Sequence, residues 1–425
     1  MAFEQGKWLS EKEMERVRDS FYLLNENPDG TPRLFFENAG GSLRLKAAAD
    51  GFHKMDMIPD CDGRKHPMAK WLKEQVKKGE DDVRLIFNVK GGTVATAQTA
   101  SQVMYEMVSA VIENVPGTNV VTSVLEHPSS FDSAEKFAQD TGKELRVAPS
   151  NPKTGGIDVD AICSLVDQNT CLLNVMYASN LTGAIMDIPA IVKKARAIKP
   201  DLFITVDAVQ HTPHTVMDFS NLDVDGVNFA PYKFFGIRGL GVAWLSPRLA
   251  CLPHAKLLQK PKDYWGLGSD APAQYATVTE IVNYCCSLSE PGITDRRKQF
   301  ESGMGKIVLQ ERALLHAILE GTEEQPGLRH IQGVTVYSDN PDLTQRDLII
   351  AIGFSNLSPT DAVAEYVKRN VIVYDRIDTS LYSERMLHSF GLHGVVRVSP
   401  LHCHNKEDVN LFLKVTQEIA NLPVK

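Results

Sequence analysis

Between residues 119 and 245, short apolar runs alternate with longer amphipathic stretches, and no other feature of the chain restricts its fold as tightly. The runs at 119–124, 145–148, 171–177, 203–209, 226–230 and 240–245 are rich in Val, Ile, Leu and Phe. A strand that is apolar along its whole length has to be covered on both faces, and a parallel sheet under crossover helices provides that cover. The stretches 129–141, 158–166 and 188–198 carry the helical spacing such crossovers need. Strand, helix and strand in repetition predict an α/β fold, a mostly parallel sheet with helices on both faces. A further helical pattern, 93–113, follows a Gly-Gly turn.

This core closes near residue 250. The chain is irregular and then helical from 250 to 305, and the remainder reads as a smaller α/β module. Its strand-like runs are 333–337, 348–354, 371–374 and 395–399, and its helical stretches are 359–368 and 406–420. The expected organisation is an N-terminal helical segment (1–30), a large domain (31–255), and a connecting helix with a small C-terminal domain (256–425). The polar stretch 59–68 has no periodicity that places it.

Composition enters through what it excludes. Lys plus Arg number 45 against 53 for Asp plus Glu, a net charge of -8 without a long basic run. That balance argues against nucleic acid or an anionic membrane as partner. No apolar run approaches the ~18 residues of a membrane span, and the N-terminus is charged and helical in pattern rather than a leader. Seven cysteines at irregular spacing, with no C-x-x-C pair, suggest neither a disulfide framework nor a zinc site, so a reducing, cytoplasmic compartment is expected. The consecutive residues His402, Cys403 and His404 cannot easily converge on one ion, and no metal is expected. Cys403 and the 285–286 pair read as buried thiols.

Ligands of an open parallel sheet sit beyond the carboxyl ends of its strands. The residues that finish each run are Glu126-His127, Ser179-Asn180, Asp207 with Gln210, and Tyr232-Lys233. Gly91-Gly92-Thr93 stands where a glycine turn can present backbone N–H groups to an anion. Lys233 sits in NFAPYKFFGIRGLG, at a strand end among aromatic residues. Desolvation there lowers a lysine's pKa and suits it to Schiff-base chemistry. Taken alone, Lys233 has the plainer reading of a stem snorkelling to solvent, and Asp207 that of a helix cap. The two together, 26 residues apart, weaken both plain readings.

The stretches FFENAGGS, KGGTVATAQ, LEHPSS, YASNLTGAIMDI, VDAVQHTPHTVMDF, LDVDGVNFAPYKFFGIRGLG and VVRVSPLHCHNKEDV run in one order from about residue 33 to 420. In them the chain resembles the fold-type I pyridoxal-phosphate enzymes, specifically the class V aminotransferase or cysteine-desulfurase-like family. The resemblance implies pyridoxal 5′-phosphate as cofactor and Lys233 as its Schiff-base lysine. It implies Asp207 against the pyridinium nitrogen, His127 stacked on the ring, and Asn180 and Gln210 near the ring 3-oxygen. It further implies Gly92, Thr93 and Val94 as the phosphate turn. Arg397 would grip the substrate carboxylate, with Asn38 and Ala39 bordering the substrate. Enzymes of this kind are homodimers with shared active sites, and Ser269 in GLGSDAPAQ is the candidate that would reach into the partner's phosphate pocket.

Two departures matter. Ala230 and Tyr232 stand where desulfurases carry a serine and a histidine before the lysine, which leaves Tyr232 as the cofactor neighbour. The stretch YDRIDTSLYSERML has no cysteine where desulfurases keep their nucleophile, and persulfide chemistry needs a thiolate. The expected function is therefore a pyridoxal-phosphate lyase that cleaves a β-substituent of an amino acid, a carbon–sulfur or related bond, without a persulfide. A racemase or epimerase, a decarboxylase or aldolase, and an aminotransferase remain alternatives on the same scaffold. A binding protein on a dead enzyme scaffold is disfavoured by the presence of Lys233 and Asp207. A nicotinamide dehydrogenase is disfavoured by the absence of a G-x-G-x-x-G after the first strand.

Overall fold

A computed structural model describes residues 5–424. Its main sheet has seven strands in the order Thr93–Ala97, Gly241–Leu245, Gly226–Phe229, Phe203–Asp207, Thr170–Met176, Asn119–Ser123 and Glu144–Ala148. Six of them run in one direction, and Gly241–Leu245 runs antiparallel to both neighbours. Val120 and Leu172 belong to one apolar core with the helices Ala100–Asn114 and Pro128–Asp140. Val121 and Leu173, one residue on, belong to the opposite core with residues of Ile188–Ile198, Pro67–Phe87 and Pro272–Ser287. Successive residues of a strand face opposite ways, so this split is why the runs are apolar throughout.

The expected helix over 93–113 is corrected. Thr93–Ala97 is a strand, paired along its length with Gly241–Leu245, and the helix begins at Ala100. Thr99 is its N-cap, its hydroxyl accepting the Gln102 N–H. Helical order in 158–166 is confined to Val159–Cys163. The polar stretch 59–68 leads into the helix Pro67–Phe87, where proline at the first position and the His66 ring as cap set the start.

The small body is an antiparallel sheet ordered Val334–Val336, Ile350–Phe354, Gly394–Val398 and Tyr374–Ile377. The run expected at 371–374 is split. Val371–Ile372 leaves this sheet to pair with Leu34–Phe35 near the N-terminus. Leu34 and Phe36, expected with the large domain, therefore share an apolar core with Leu314 and Phe412. In the N-terminal segment the helix is Glu11–Asp19, opened by a Ser10/Glu13 capping box, and residues 1–4 lie outside the described residues. The long helix Arg296–Glu320 runs through both bodies, with Phe300 and Ile307 in the large core and Leu314 and Ile318 in the small one. Beside it a buried polar network ties the bodies together. Glu311 pairs with His214 at 2.7 Å and His402 meets Tyr284 at 2.8 Å, while His211 pairs with Asp347 at 2.8 Å. Among the described residues no helix is long and apolar enough to cross a membrane.

Candidate active site

After Asn119–Ser123 the chain moves outward to Glu144–Ala148, and from Thr170–Met176 it proceeds the other way across the sheet. The crossovers therefore diverge between the strands Asn119–Ser123 and Thr170–Met176, the kind of switch point where a parallel sheet opens a crevice. A cavity of about 580 Å³ lies there, at the carboxyl ends of the strands. His127 leaves one of the two diverging strands and Asn180 the other, and both line the cavity with Asp207, Gln210, Tyr232 and Lys233.

Lys233 ends a single 3-10 turn, Pro231–Lys233, that follows the strand Gly226–Phe229. Pro231, Phe234 and Phe235 are buried on either side of it, which anchors the turn and leaves the lysine stem to the cavity. Its Nζ reaches Gln210 Oε1 at 3.4 Å. Burial, then the Arg397 charge, lowers the amine to about 8 against the opposing pull of Asp207. Asp207 is buried at the end of its strand, where one oxygen accepts the Val209 N–H at 3.0 Å. Burial raises its pKa, while that hydrogen bond and the Lys233 charge oppose the rise. His127 caps the helix Pro128–Asp140, its Nδ1 accepting the Ser129 N–H. Burial, with the Lys233, Arg376 and Arg385 charges, brings its pKa to about 3, so the ring is neutral. Asn180 is buried, and its Oδ1 has no partner among the described residues. An orphaned acceptor, a poised amine and a buried carboxylate around one cavity fit a polar aromatic ring such as pyridoxal phosphate.

The residues expected as the phosphate turn do not line the cavity. Gly92, Thr93 and Val94 lie at the start of their strand, away from the cavity. Gly92 is left-handed (φ 69°) and a Cβ there would meet Trp244 Nε1 at 2.4 Å, so its glycine serves packing. Thr93 donates to the Asp263 carbonyl. At the other end of the same strand, Thr99, Ala100 and Ser101 open the helix Ala100–Asn114 into the cavity, so a helix N-terminus points at it. Arg238 lines it as well, 4.4 Å from the Tyr232 ring centre. A Cβ on Gly241 would meet Thr99 and Ala100 backbone at 2.1 Å, so that glycine permits the helix to start so close to the sheet. Thr99 and Arg238 were missed in the sequence. The signal was present in TAQTAS, where a threonine precedes a good helical run, but the glycines upstream obscured it.

Arg397 is buried, donating to the Asn180 carbonyl at 3.0 Å and paired with Glu37 at 2.5 Å. A carboxylate of this chain thus occupies the fork expected to hold a substrate carboxylate. Asn38 is spent on the backbone, donating to the Phe35 and Ser399 carbonyls and accepting the Leu43 N–H. The Ala39 N–H donates to Ser399 Oγ. Both residues hold the Glu37 segment in place and neither lines the cavity. Ser269 lies in a neighbouring cavity of about 500 Å³ that shares Gln98 and Gln274 with the first. No cysteine lines either cavity. Cys403 is fully buried, and burial pushes its thiol well above the ordinary range.

The aminotransferase class-V family model matches residues 45–260. The chain is 27% identical over 244 residues to a cysteine desulfurase of Yersinia pestis (strain Pestoides F) and, equally, to one of Yersinia pseudotuberculosis (serotype O:3, strain YPIII). In each case the match spans 54% of this chain and 57% of the relative. Among solved structures, an apo cysteine desulfurase from Thermococcus onnurineus NA1 superposes with a TM-score of 0.79 at 19% identity, over 96% of this chain and 98% of that one. The Escherichia coli cysteine desulfurase CsdA, in an S-sulfonic acid form, gives 0.79 at 17% identity over 97% and 99%. At these identities the structural likeness is one of fold.

Proposed function

Because the chain belongs to the aminotransferase class-V family, whose members depend on pyridoxal phosphate, we propose that it is a lyase that eliminates a β-substituent from an amino acid without a persulfide. The observation that carries this reading is the pairing of a poised amine, Lys233, with the buried carboxylate Asp207 in a cavity that no cysteine lines. When bound, pyridoxal phosphate supplies an aldehyde for the substrate amine and an electron sink for charge developed at Cα. Lys233 is the group in reach to hold that aldehyde and, once released, to take the Cα proton as a general base. Asp207 holds a proton toward the ring nitrogen. Neutral His127 would offer its ring to the cofactor without adding charge, and Asn180 and Gln210 would supply polar atoms to it. Backbone N–H groups at Thr99–Ser101 and the Arg238 guanidinium would hold the phosphate. Arg397 takes the substrate α-carboxylate by releasing Glu37. The active form is a homodimer in which the loop carrying Ser269 meets the partner's phosphate end.

The test offers the holoenzyme a panel of β-substituted amino acids. Elimination releases the β-substituent with a proton, and hydrolysis of the remainder yields one keto acid and one ammonia. Equal release of the three products supports the lyase. Racemised substrate, carbon dioxide or amino-group transfer in their place refutes it.

A further inference from the structure

Asp378, His388 and His393 line neither cavity and take no part in the chemistry above. Their ligating atoms, one carboxylate oxygen and two imidazole nitrogens, all lie within 4.8 Å of one another. No other group of three such side chains does so among the described residues. The spacing matches no ligand motif in the sequence, so the fold alone assembles the cluster. Asp378 follows the strand Tyr374–Ile377, and His393 precedes its partner strand Gly394–Val398, one step beyond the ladder pair Ile377 and Gly394. The Asp378 N–H donates to the His393 carbonyl at 3.0 Å, which extends the ladder and sets the two side chains opposite each other. His393 Nδ1 meets Asp378 Oδ2 at 2.7 Å. His388 comes from the last turn of the helix Glu384–Ser389. Gly391, left-handed at φ 69°, turns the chain back toward the strand, with the Gly391 and Leu392 N–H groups donating to the His388 and Leu387 carbonyls. That turn holds His388 Nε2 3.5 Å from the same Asp378 oxygen.

Two imidazoles and a carboxylate are a ligand set of zinc and its first-row neighbours. Around a tetrahedral zinc with bonds of about 2.0–2.2 Å, ligand atoms stand about 3.3–3.6 Å apart. The Asp378–His388 pair already has that separation, and the Asp378–His393 pair has only to open slightly. Both histidine side chains are exposed and free to make the adjustment. Water on the open side supplies the fourth ligand.

We propose that Asp378, His388 and His393 bind one divalent cation of the zinc class, which fastens the helix Glu384–Ser389 to the end of the strand Tyr374–Ile377. The ion takes the place of the proton that His393 and Asp378 share. The helix it fastens borders the active site, because Arg385 donates to the Val124 and Glu126 carbonyls, just before His127. The site is independent of the reaction catalysed in the cavity.

The test titrates untagged, chelator-treated holoenzyme with zinc chloride by calorimetry. One ion per chain is expected at a Kd of about 10 µM or tighter, short of the affinity of closed four-ligand sites. His388→Ala and His393→Ala each weaken that binding at least about tenfold, since even the neighbours of a metal ligand contribute about 10–100-fold. The exposed thiols of Cys61 and Cys251 are the rival ligands, and X-ray absorption at the zinc edge separates them. Nitrogen and oxygen at about 2.0–2.1 Å support the site, whereas sulfur at about 2.3 Å overturns it. Binding that is unchanged in either histidine variant overturns it too, as does a parent Kd above about 100 µM. For the fastening, zinc is expected to slow tryptic cleavage after Arg385 in the parent and not in His393→Ala. Equal slowing in both, or none in the parent, refutes it.

Discussion

The wall that lines the cavity and a second wall of buried arginines beside it are built on different principles. On the lining side, Asp207, Asn180, His127 and Lys233 sit at or just beyond the ends of parallel strands. On the small-domain side, Arg376 and Arg397 sit inside antiparallel strands, and only the pleat decides which way they face. The first wall balances its charges locally, Lys233 against Asp207. The second wall is cationic, and Glu37, from the start of the large domain, pairs with Arg397 there. The lining wall thus suits a neutralised, polar ring, and the other holds two cations beside a single carboxylate.

The contrast is broken most directly at Lys233. Lys233→Ala is expected to lower turnover by about 10²–10⁴-fold, the usual weight of a positioned proton-transfer group, and to abolish borohydride trapping. Turnover within tenfold of the parent would place the chemistry elsewhere. Next in size is the bond between the walls. Glu311 is buried, and despite the opposing effect of burial, the His214 charge and hydrogen bonds from His214 and His402 hold its carboxyl down at about 2. Glu311→Ala leaves buried histidines without their partner and is expected to destabilise the fold by about 3–5 kcal/mol, read from denaturant unfolding. A loss below about 1 kcal/mol would mean that the two bodies are held by apolar packing alone.

A smaller effect sharpens the electrostatic side. Cofactor uptake by the cofactor-free protein needs the neutral amine of Lys233, whose pKa is lowered to about 8. Uptake should therefore quicken about tenfold per pH unit up to about pH 8 and then level off, whereas an ordinary lysine would keep rising toward ~10.4. Arg376→Gln moves that break upward, because one of the charges disfavouring the ammonium is gone. A break that stays in place would show that the cationic wall does not act on the lysine. The smallest change is expected from Cys403→Ser, within about twofold in turnover, since the thiol is buried in the core and absent from both cavities. Loss of turnover in that variant with cofactor still bound, together with a persulfide trapped on Cys403 in the parent, would turn the enzyme into a desulfurase with a relocated nucleophile.

The strand-end wall was legible in the sequence because apolar runs announce their own ends, and His127, Asn180, Asp207, Gln210 and Lys233 follow those ends directly. The anion turn was misplaced for a local reason. Gly91 and Gly92 look like a loop before a helix, yet TVATA extends as an edge strand once Gly241–Leu245 is there to pair with it. The cationic wall was only half legible. Arg397 carried a family motif, but Arg376 stands in a stretch with no apolar run to frame it, and Glu37 gained meaning only when the N-terminal segment reached the small domain. The roles of Asn38 and Ala39 were likewise settled by their bonds to Ser399, some 360 positions away.

By itself the sequence determined the layered α/β architecture and the order of its strands' ends, because burial on two faces is written into hydrophobic pattern residue by residue. It also determined that a lysine and an aspartate meet at one rim, since parallel crossovers bring successive strand ends to the same edge. Only the tertiary structure decided which helix start opens on the cavity, which arginine lines it, and which carboxylate Arg397 pairs with. Those choices depend on pairing register and on contacts between segments hundreds of residues apart, and local physical chemistry leaves such contacts free until the chain has closed on itself.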